Sequence, residues 1–461
     1  VGIVAGQQKA AGRHGAQYNT TYAAHILGRI TRIYAEDWPE YQAKGYSMDA
    51  LVGESGVERA FEDWLHGNNG TRLVTTDEKG KITGEFYVKE PKPGGTVALT
   101  LDLDLQTATE DALADTIEGM IDKDSDQRGG AAAVVKVGSG EVLALASYPS
   151  FDLSTFAQSY NELLEDERLP MFNRAVNGTY APGSTFKMNT AVAALESGVI
   201  TPSSIIQDKG VYTFYEYPQP WCWVWPLGYT HGRVNVSDAI AVSCNYFFYE
   251  VGRLTGIQTI DDYATQFGLG RSTGIEIGDT AGRLPSQNEG ENLAPWAAFG
   301  QANQEYSPLQ LANYIATLCG GGDRYATHLL KNVRSSGSGA LEYVYDAEPV
   351  ERVEISSENL SAVLAGMHDL ATDGAVSQYF KDCIVDAAAK TGTIQTGDTK
   401  NNNGAFVCFA PYDDPQIAVA IVIEKGGSGA ALASTAVQVL NAYFSNTSAS
   451  SAITGENTLL G

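Results

Sequence analysis

Three short segments of this chain carry side chains that together could perform acyl transfer. A lysine amine one helical turn from a serine hydroxyl can remove its proton, and the serine can then attack a carbonyl carbon. Two later segments could supply a proton relay and a positive charge for a carboxylate group. In chain order the segments are Ser184-Thr185-Phe186-Lys187, Ser243-Cys244-Asn245 and Lys390-Thr391-Gly392-Thr393.

The first segment predicts a helix that begins near Ser184. Pro182 and Gly183 break the chain before it, and Gly198 suits the position after its end. A spacing of three residues places Ser184 and Lys187 on one side of this helix. The positive end of the helix and a dry environment both disfavour an ammonium group, so we predict that Lys187 is the general base. The alternative is a serine that only caps the helix, followed by a surface lysine.

The second segment places polar Ser243 and Asn245 in an otherwise apolar run that follows Ser237, a candidate helix N-cap. Two buried polar side chains need partners, and a cleft shared with the first segment would provide them. We expect Ser243 to pass a proton to the leaving amine and Asn245 to hold the substrate backbone, with Cys244 facing away. Ordinary capping or a local turn is the alternative.

The third segment is typical of a strand whose small residues let another backbone approach. An extended peptide can pair with such an edge, because Gly392 has no Cβ to block it. We expect Lys390, with the hydroxyls of Thr391 and Thr393, to bind a terminal carboxylate. The amides of Thr393 and Ser184 would form an oxyanion hole. A strand that ends in a turn is the alternative.

The three motifs, in this order, resemble those of penicillin-binding proteins, specifically the monofunctional class B kind. The resemblance implies that Ser184 is acylated by the penultimate D-Ala of a peptidoglycan stem peptide, that terminal D-Ala leaves, and that a neighbouring stem amine resolves the acyl-enzyme. It also implies that β-lactams are trapped at the same serine. One departure is Cys244 in the middle of the second motif. Six further stretches agree with the family: 24–28, 51–58, 99–106, 172–175, 299–301 and 307–312.

The same resemblance implies an α+β protein with the serine penicillin-recognising transpeptidase fold. This fold has an antiparallel five-stranded sheet covered by helices on both faces, preceded by a smaller mixed α/β pedestal domain. We expect a partial pedestal at 1–97, a transpeptidase domain at 98–446 and a mobile polar tail at 447–461. The apolar patterns predict strands at 131–137, 141–147, 384–394, 405–410 and 416–424, and helices that begin near 105, 184, 308, 357 and 428.

Three other activities use a related site. A serine β-lactamase would be more compact between Asn245 and Lys390 and needs a base that activates water, for which the sequence offers no convincing glutamate. A D,D-carboxypeptidase would use the same residues with water in place of the amine. A β-lactam sensor would be acylated without turnover and would need a signalling partner.

Composition excludes some functions and leaves others open. A net charge of −25 over 461 residues argues against nucleic acid as a partner. Five scattered cysteines indicate neither a disulfide framework nor a metal cluster; Cys222 and His231 could hold a metal, but we expect no metal and no cofactor. Eight aromatic residues lie between 211 and 231. We expect most of them to pack against the sheet, with Trp221 the exception that contacts the glycan or stem peptide.

The sequence contains no apolar run near the roughly twenty residues of a spanning helix. It begins at Val1 rather than Met, and this suggests a processed form. The family resemblance implies an N-terminal membrane anchor outside this sequence, a location on the extracytoplasmic face of the bacterial cytoplasmic membrane, and a glycosyltransferase partner.

Overall fold

The computed structural model describes residues 2–5, 21–121, 128–217, 219–285, 293–395 and 402–451. The strands are β1 (Gly2–Ala5), β2 (Ile30–Arg32), β3 (Leu51–Gly53), β4 (Thr71–Thr76), β5 (Ile82–Lys89), β6 (Thr96–Asp102), β7 (Gly130–Lys136), β8 (Val142–Tyr148), β9 (Ile206–Gln207), β10 (Arg233–Val234), β11 (Asp323–Tyr325), β12 (Leu330–Arg334), β13 (Leu341–Val344), β14 (Pro349–Arg352), β15 (Ala388–Ile394), β16 (Asn403–Ala410) and β17 (Ile417–Ile423).

The helices are α1 (Ala24–Leu27), α2 (Trp38–Ala43), α3 (Gly56–Ala60), α4 (Glu62–Leu65), α5 (Leu103–Met120), α6 (Phe156–Glu165), α7 (Arg174–Asn177), α8 (Lys187–Glu196), α9 (Val236–Ala241), α10 (Asn245–Thr255), α11 (Ile257–Gln266), α12 (Ala294–Ala297), α13 (Pro308–Cys319), α14 (Ser357–Thr372), α15 (Ser377–Phe380) and α16 (Ala433–Ser451). Short 3₁₀ turns lie at Gly183–Phe186, Trp225–Leu227 and Gly429–Leu432.

The central element is a five-stranded antiparallel sheet in the order β15-β16-β17-β7-β8. Successive side chains of a strand point to opposite faces, and every residue of β17 is buried. Val419 and Ile421 pack in one cluster with residues of α5 and α16, whereas Ala418 and Ala420 pack in the other with residues of α8 and α13. Both faces are therefore covered by helices, and the predicted fold class is confirmed.

Helix α13 lies in the middle of one of these layers, and all its residues are buried. Its start is well defined, because Ser307 and Gln310 form a capping box and Pro308 occupies the first helical turn. On the other face, α5 begins after Asp102, whose carboxylate accepts hydrogen bonds from the amides of Asp104 and Leu105. These two helices fix the sheet whose first strand, β15, carries the third motif.

The N-terminal part contains smaller elements. Strands β2 and β3 pair with each other, and β4 and β5 form a hairpin that turns near Gly80. Strand β6 pairs with β1 on one side and with β12 on the other. The predicted boundary between 97 and 98 falls inside β6, so the early and late parts of the chain share this sheet. The domain limits stay a prediction.

The C-terminal helix α16 continues to Ser451. The predicted tail begins at 447, so its first five residues lie in this helix, and the mobility of the tail stays a prediction. Residues 452–461 lie outside the described part of the chain. Among the described residues, none of the helices combines the length and the apolar character that crossing a membrane requires.

Candidate active site

Ser184 lies in the 3₁₀ turn Gly183–Phe186, which leads directly into α8. The helix therefore begins where the sequence predicts, with a tighter first turn. Met188, Val192 and Leu195 anchor it in the core. Ser184 is half-buried and Lys187 is completely buried, so the serine hydroxyl is reachable while the amine is shielded from water.

A glycine contact that the sequence analysis missed holds the turn before Ser184. The Gly183 amide donates to the Gly300 carbonyl at 3.0 Å. Gly300 has a φ of +77°, and a Cβ at this position would lie 2.1 Å from the Gly183 oxygen. Only glycine fits this close approach. The segment 299–301, which resembles the family without an assigned role, thus supports the turn that carries Ser184.

Ser243 lies in the turn between α9 and α10 and has a φ of +54°, which is strained for a residue other than glycine. Asn245 begins α10. The predicted N-cap Ser237 is wrong: Asn235 caps α9 through a capping box with Asp238, and the Ser237 hydroxyl donates to the Ala362 carbonyl instead. Asn235 is an equally good capping residue by type, so the sequence pattern did not separate the two.

The Lys187 amine joins the first motif to the second. Its Nζ donates to the Ser243 carbonyl at 2.9 Å, to Ser243 Oγ at 3.1 Å and to Asn245 Oδ1 at 2.7 Å. Among the hydrogen bonds of the described residues, none connects Nζ to Ser184 Oγ. The structure brings Lys187, Ser243 and Asn245 together as the sequence predicts.

Lys390 joins the third motif to the same group. Its side chain is completely buried, and Nζ donates to Ser243 Oγ at 3.0 Å. Burial lowers the pKa of Lys187 to about 8. Burial, and then the nearby charge of Lys187, place the pKa of Lys390 well below its ordinary value. Both amines are therefore much closer to their neutral forms than exposed lysines are.

Strand β15 is the edge of the five-stranded sheet among the described strands, since it pairs with β16 alone. It begins at Ala388, four residues later than predicted. A Cβ added at Gly392 would lie 3.0 Å from the Pro182 carbonyl oxygen, so the strand passes close to the turn that carries Ser184. Thr391 is half-buried and Thr393 is exposed. Among the described strands, this edge has no backbone partner, and it lies beside the turn that carries Ser184.

The order of the motifs and their convergence agree with comparisons to known proteins. Residues 130–444 match the penicillin-binding protein transpeptidase domain, and residues 16–99 match the penicillin-binding protein dimerisation domain. The chain belongs to the class B penicillin-binding proteins.

Relatives of this penicillin-binding protein cover nearly all of it. It is 31% identical over 453 residues to the peptidoglycan D,D-transpeptidase MrdA of Salmonella typhimurium, covering 88% of this chain and 68% of the relative. A chain from a structure of a peptidoglycan synthase complex superposes with a TM-score of 0.80 at 29% identity, covering 95% of this chain and 76% of that one. The crystal structure of Pseudomonas aeruginosa PBP2 in complex with WCK 5153 superposes with a TM-score of 0.74 at 28% identity. The match covers 91% of this chain and 89% of that one.

Behind Ser243, this penicillin-binding protein has a buried cluster that the sequence analysis did not expect. One ligand atom each of Asp208, Cys222, His231 and Cys244 lies within 4.8 Å of the others. Contrary to the expectation from the sequence, Cys222 and Cys244 therefore contribute to a group that could bind a metal ion. The sequence analysis named Cys222 and His231 as a possible pair but missed Asp208 and Cys244. These residues converge only in the folded chain, through hydrogen bonds such as Asp208 N–H to the Gly232 carbonyl at 2.7 Å.

The dimensions of this cluster fit Zn²⁺. The two sulfurs of Cys222 and Cys244 are 3.8 Å apart, and His231 Nδ1 lies 3.1 Å from Asp208 Oδ2. Zn–S bonds of about 2.3 Å in tetrahedral geometry separate two sulfurs by about 3.8 Å. Four protein ligands would close the coordination sphere, so a bound ion would be structural. It would fix Cys244, which lies between Ser243 and Asn245.

The aromatic residues between 211 and 231 do not mainly pack inward, so that expectation is wrong. Tyr212 is buried, but most of the others are exposed. Trp221 is 55% exposed, and the Tyr249 hydroxyl donates to its carbonyl at 3.1 Å. Trp223 Nε1 donates to the Val242 carbonyl at 3.2 Å, one residue before Ser243. The exposed rings are Phe214, Tyr217, Trp221, Trp223, Trp225 and Tyr229.

Proposed function

We propose that this penicillin-binding protein is a peptidoglycan D,D-transpeptidase that crosslinks stem peptides through an acyl-enzyme on Ser184. The observation that carries the proposal is the hydroxyl of Ser243, held by two buried lysine amines at 3.1 and 3.0 Å beside the turn that presents Ser184. Such a group can move a proton without histidine.

In the first half-reaction, Ser184 Oγ attacks the carbonyl carbon of the penultimate D-Ala of a donor stem. Neutral Lys187 accepts the hydroxyl proton. The amides of Ser184 and Thr393 stabilise the negative oxygen of the tetrahedral intermediate. Ser243 then relays a proton to the amine of the terminal D-Ala as the C–N bond breaks. An ester on Ser184 and free D-Ala result.

In the second half-reaction, an amine from a neighbouring stem attacks the ester. The new C–N bond forms as the C–O bond to Ser184 Oγ breaks, and the proton of the amine passes through the same relay to the departing serine oxygen. A β-lactam follows only the first half, because its leaving amine stays attached to the acyl group and blocks the incoming nucleophile. The same residues therefore account for antibiotic trapping.

The remaining site residues bind substrate in this proposal. Asn245 presents its amide to the donor backbone, and β15 pairs with it along Thr391, Gly392 and Thr393. Lys390 donates hydrogen bonds from its amine toward the donor carboxylate. Because its Nζ contacts Ser243 Oγ, it also supports the relay.

Trp221 is proposed to contact the glycan or stem peptide. Its exposed ring belongs to a segment held against the Ser243 motif by the Trp223–Val242 hydrogen bond. A flat apolar ring suits the apolar face of a sugar.

The proposed location is the extracytoplasmic face of the bacterial cytoplasmic membrane, reached through an N-terminal anchor outside this sequence. A glycosyltransferase is the proposed partner. Support comes from the structural neighbour whose assembly coordinates polymerisation with crosslinking.

The test distinguishes a transpeptidase from a carboxypeptidase, a β-lactamase and a β-lactam sensor. The protein is incubated with a fluorescent penicillin and the labelled peptide is mapped; separately, a D-Ala-D-Ala pentapeptide is supplied with and without an acceptor amine. The proposal expects the label on Ser184 and a crosslinked product that depends on the acceptor. Release of D-Ala with water alone would indicate a carboxypeptidase. Hydrolysed penicillin would indicate a β-lactamase, and stable labelling without D-Ala release would indicate a sensor.

A further inference from the structure

The side chain of Gln301 pairs with the free edge of β15. Its Nε2 donates to the Thr393 carbonyl at 2.7 Å, and its Oε1 accepts from the Gln395 amide at 3.3 Å. Both partners are backbone groups: Thr393 belongs to the third motif, and Gln395 follows the last residue of β15. A single primary amide therefore satisfies one acceptor and one donor of the edge.

This arrangement reproduces a strand contact. In an antiparallel ladder the N–H and C=O of one residue point to the same neighbouring strand. The Thr393 carbonyl faces Gln301 rather than β16, so the Thr393 amide faces the same free edge, beside Ser184. The Gln301 carboxamide thus occupies the hydrogen-bonding position that the backbone of an added strand would take.

The position of Gln301 is fixed from behind. The preceding residue, Gly300, accepts the Gly183 amide hydrogen bond and lies in van der Waals contact with that turn. The backbone of Gln301 is therefore held at the nucleophile, whereas its half-buried side chain can rotate away without breaking the core. Within the described ranges, the hydrogen bonds of Gln301 reach Trp296, Thr393 and Gln395 and involve neither lysine amine nor Ser243.

We propose that Gln301 is a specificity-determining residue whose carboxamide acts as a stand-in for substrate at the edge of β15. This inference rests on the proposed acyl transfer at Ser184. It adds that the acyl donor must carry an amide N–H able to replace the Gln301 carboxamide. A donor with a backbone amide N–H that binds the Thr393 carbonyl displaces Gln301 and recovers the lost hydrogen bond. A donor without that amide does not compete for the position.

The test compares two β-lactams on the intact protein. One is a fluorescent penicillin with an acylamino side chain, and the other is a penicillanic acid sulfone without a side chain on the ring. We measure the second-order acylation constant of each for wild type, Gln301→Ala and Gln301→Glu. Gln301→Glu keeps the acceptor for the Gln395 amide but loses the donor to the Thr393 carbonyl. The matched control is Gln395→Ala. This variant removes the Gln395 side chain but keeps the backbone amide that donates to Gln301 Oε1.

The expected result is faster acylation by the acylamino penicillin only. Removing the competing pair of hydrogen bonds in Gln301→Ala should raise that constant by about tenfold, with a smaller gain in Gln301→Glu. The sulfone constant and the control variant should stay within about twofold of wild type, since they do not involve this competition. Slower acylation by both compounds would make Gln301 a structural brace and overturn the proposal.

Unchanged constants for both compounds would overturn the proposal equally. Neither result would affect the assignment of Ser184, because labelling of that serine is read independently by intact mass. A melting temperature for each variant shows that the comparison is made on folded protein. If Gln301→Ala fails to fold, Gln301→Glu gives the same discrimination between the two compounds.

Discussion

Lys187 and Lys390 donate to the same oxygen. Their amines lie 3.1 and 3.0 Å from Ser243 Oγ, and both side chains are completely buried. Two ammonium groups at one hydroxyl in a dry site would repel each other strongly. The arrangement therefore favours a neutral amine, which is the form that the proposed proton transfer from Ser184 requires.

Replacing Ser184 by alanine should abolish covalent labelling by a fluorescent penicillin, because the attacking oxygen is removed. Ser197→Ala is the matched control, since Ser197 follows the same helix and its hydroxyl donates to the backbone carbonyls of Ala193 and Ala194 at the end of that helix. Intact mass spectrometry of both variants checks the outcome. A labelled Ser184→Ala protein would show that another residue is the nucleophile.

The acylation rate should rise with pH and level off above about 8, the pKa to which burial lowers Lys187. Below that value only the neutral fraction of Lys187 accepts a proton, and this fraction grows about tenfold per pH unit. Stopped-flow measurements between about pH 6 and pH 10 would record the profile.

Lys187→Arg should lose the rise with pH and about 10²- to 10⁴-fold of the rate, because a guanidinium stays charged. This variant is the control for the assignment of the pH dependence. A wild-type rate that is flat or falls across the same range would rule out Lys187 as the base.

Gly300→Ala should disturb the turn before Ser184. Its Cβ would meet the Gly183 oxygen at 2.1 Å, whereas Gly278 has a similar φ of +80° with open space around it. Gly278→Ala therefore measures backbone strain alone, about 1 kcal/mol. Gly300→Ala should lose about 1 to 3 kcal/mol more and label more slowly. Denaturant unfolding and the rate of penicillin labelling are measured for both variants. Equal losses of stability and labelling rate in the two variants would argue against the proposed support of the turn that carries Ser184.

Protein produced with zinc available should retain about one Zn²⁺ per chain, because the four ligand types suit a closed site. Cys244→Ala should lose the ion and lower the melting temperature, whereas Cys383→Ala, half-buried and outside the cluster, should keep it. Elemental analysis and thermal unfolding with and without a chelator give the answer. Wild-type protein without bound zinc would exclude this site.

Much of the fold was predictable because its signals are local. Apolar patterns predicted strands β7 and β8 and a helix that begins close to the start of α5. The sequence also predicted helices that begin near the starts of α8 and α13. The same local signals failed at Ser237, where Asn235 two residues earlier forms the cap. They also failed at the 211–231 aromatics, because exposure is set by tertiary packing and not by residue type.

The sequence by itself determined the chemistry: the residue types of three motifs, their order, and the helix and strand that carry two of them. Only the tertiary structure decided that Lys187 and Lys390 share one hydroxyl, that Gly300 holds the turn before Ser184, and that Gln301 covers the edge of β15. Periodicity and motif spacing describe neighbours along the chain. These contacts join residues far apart in sequence, and burial and close packing bring them together.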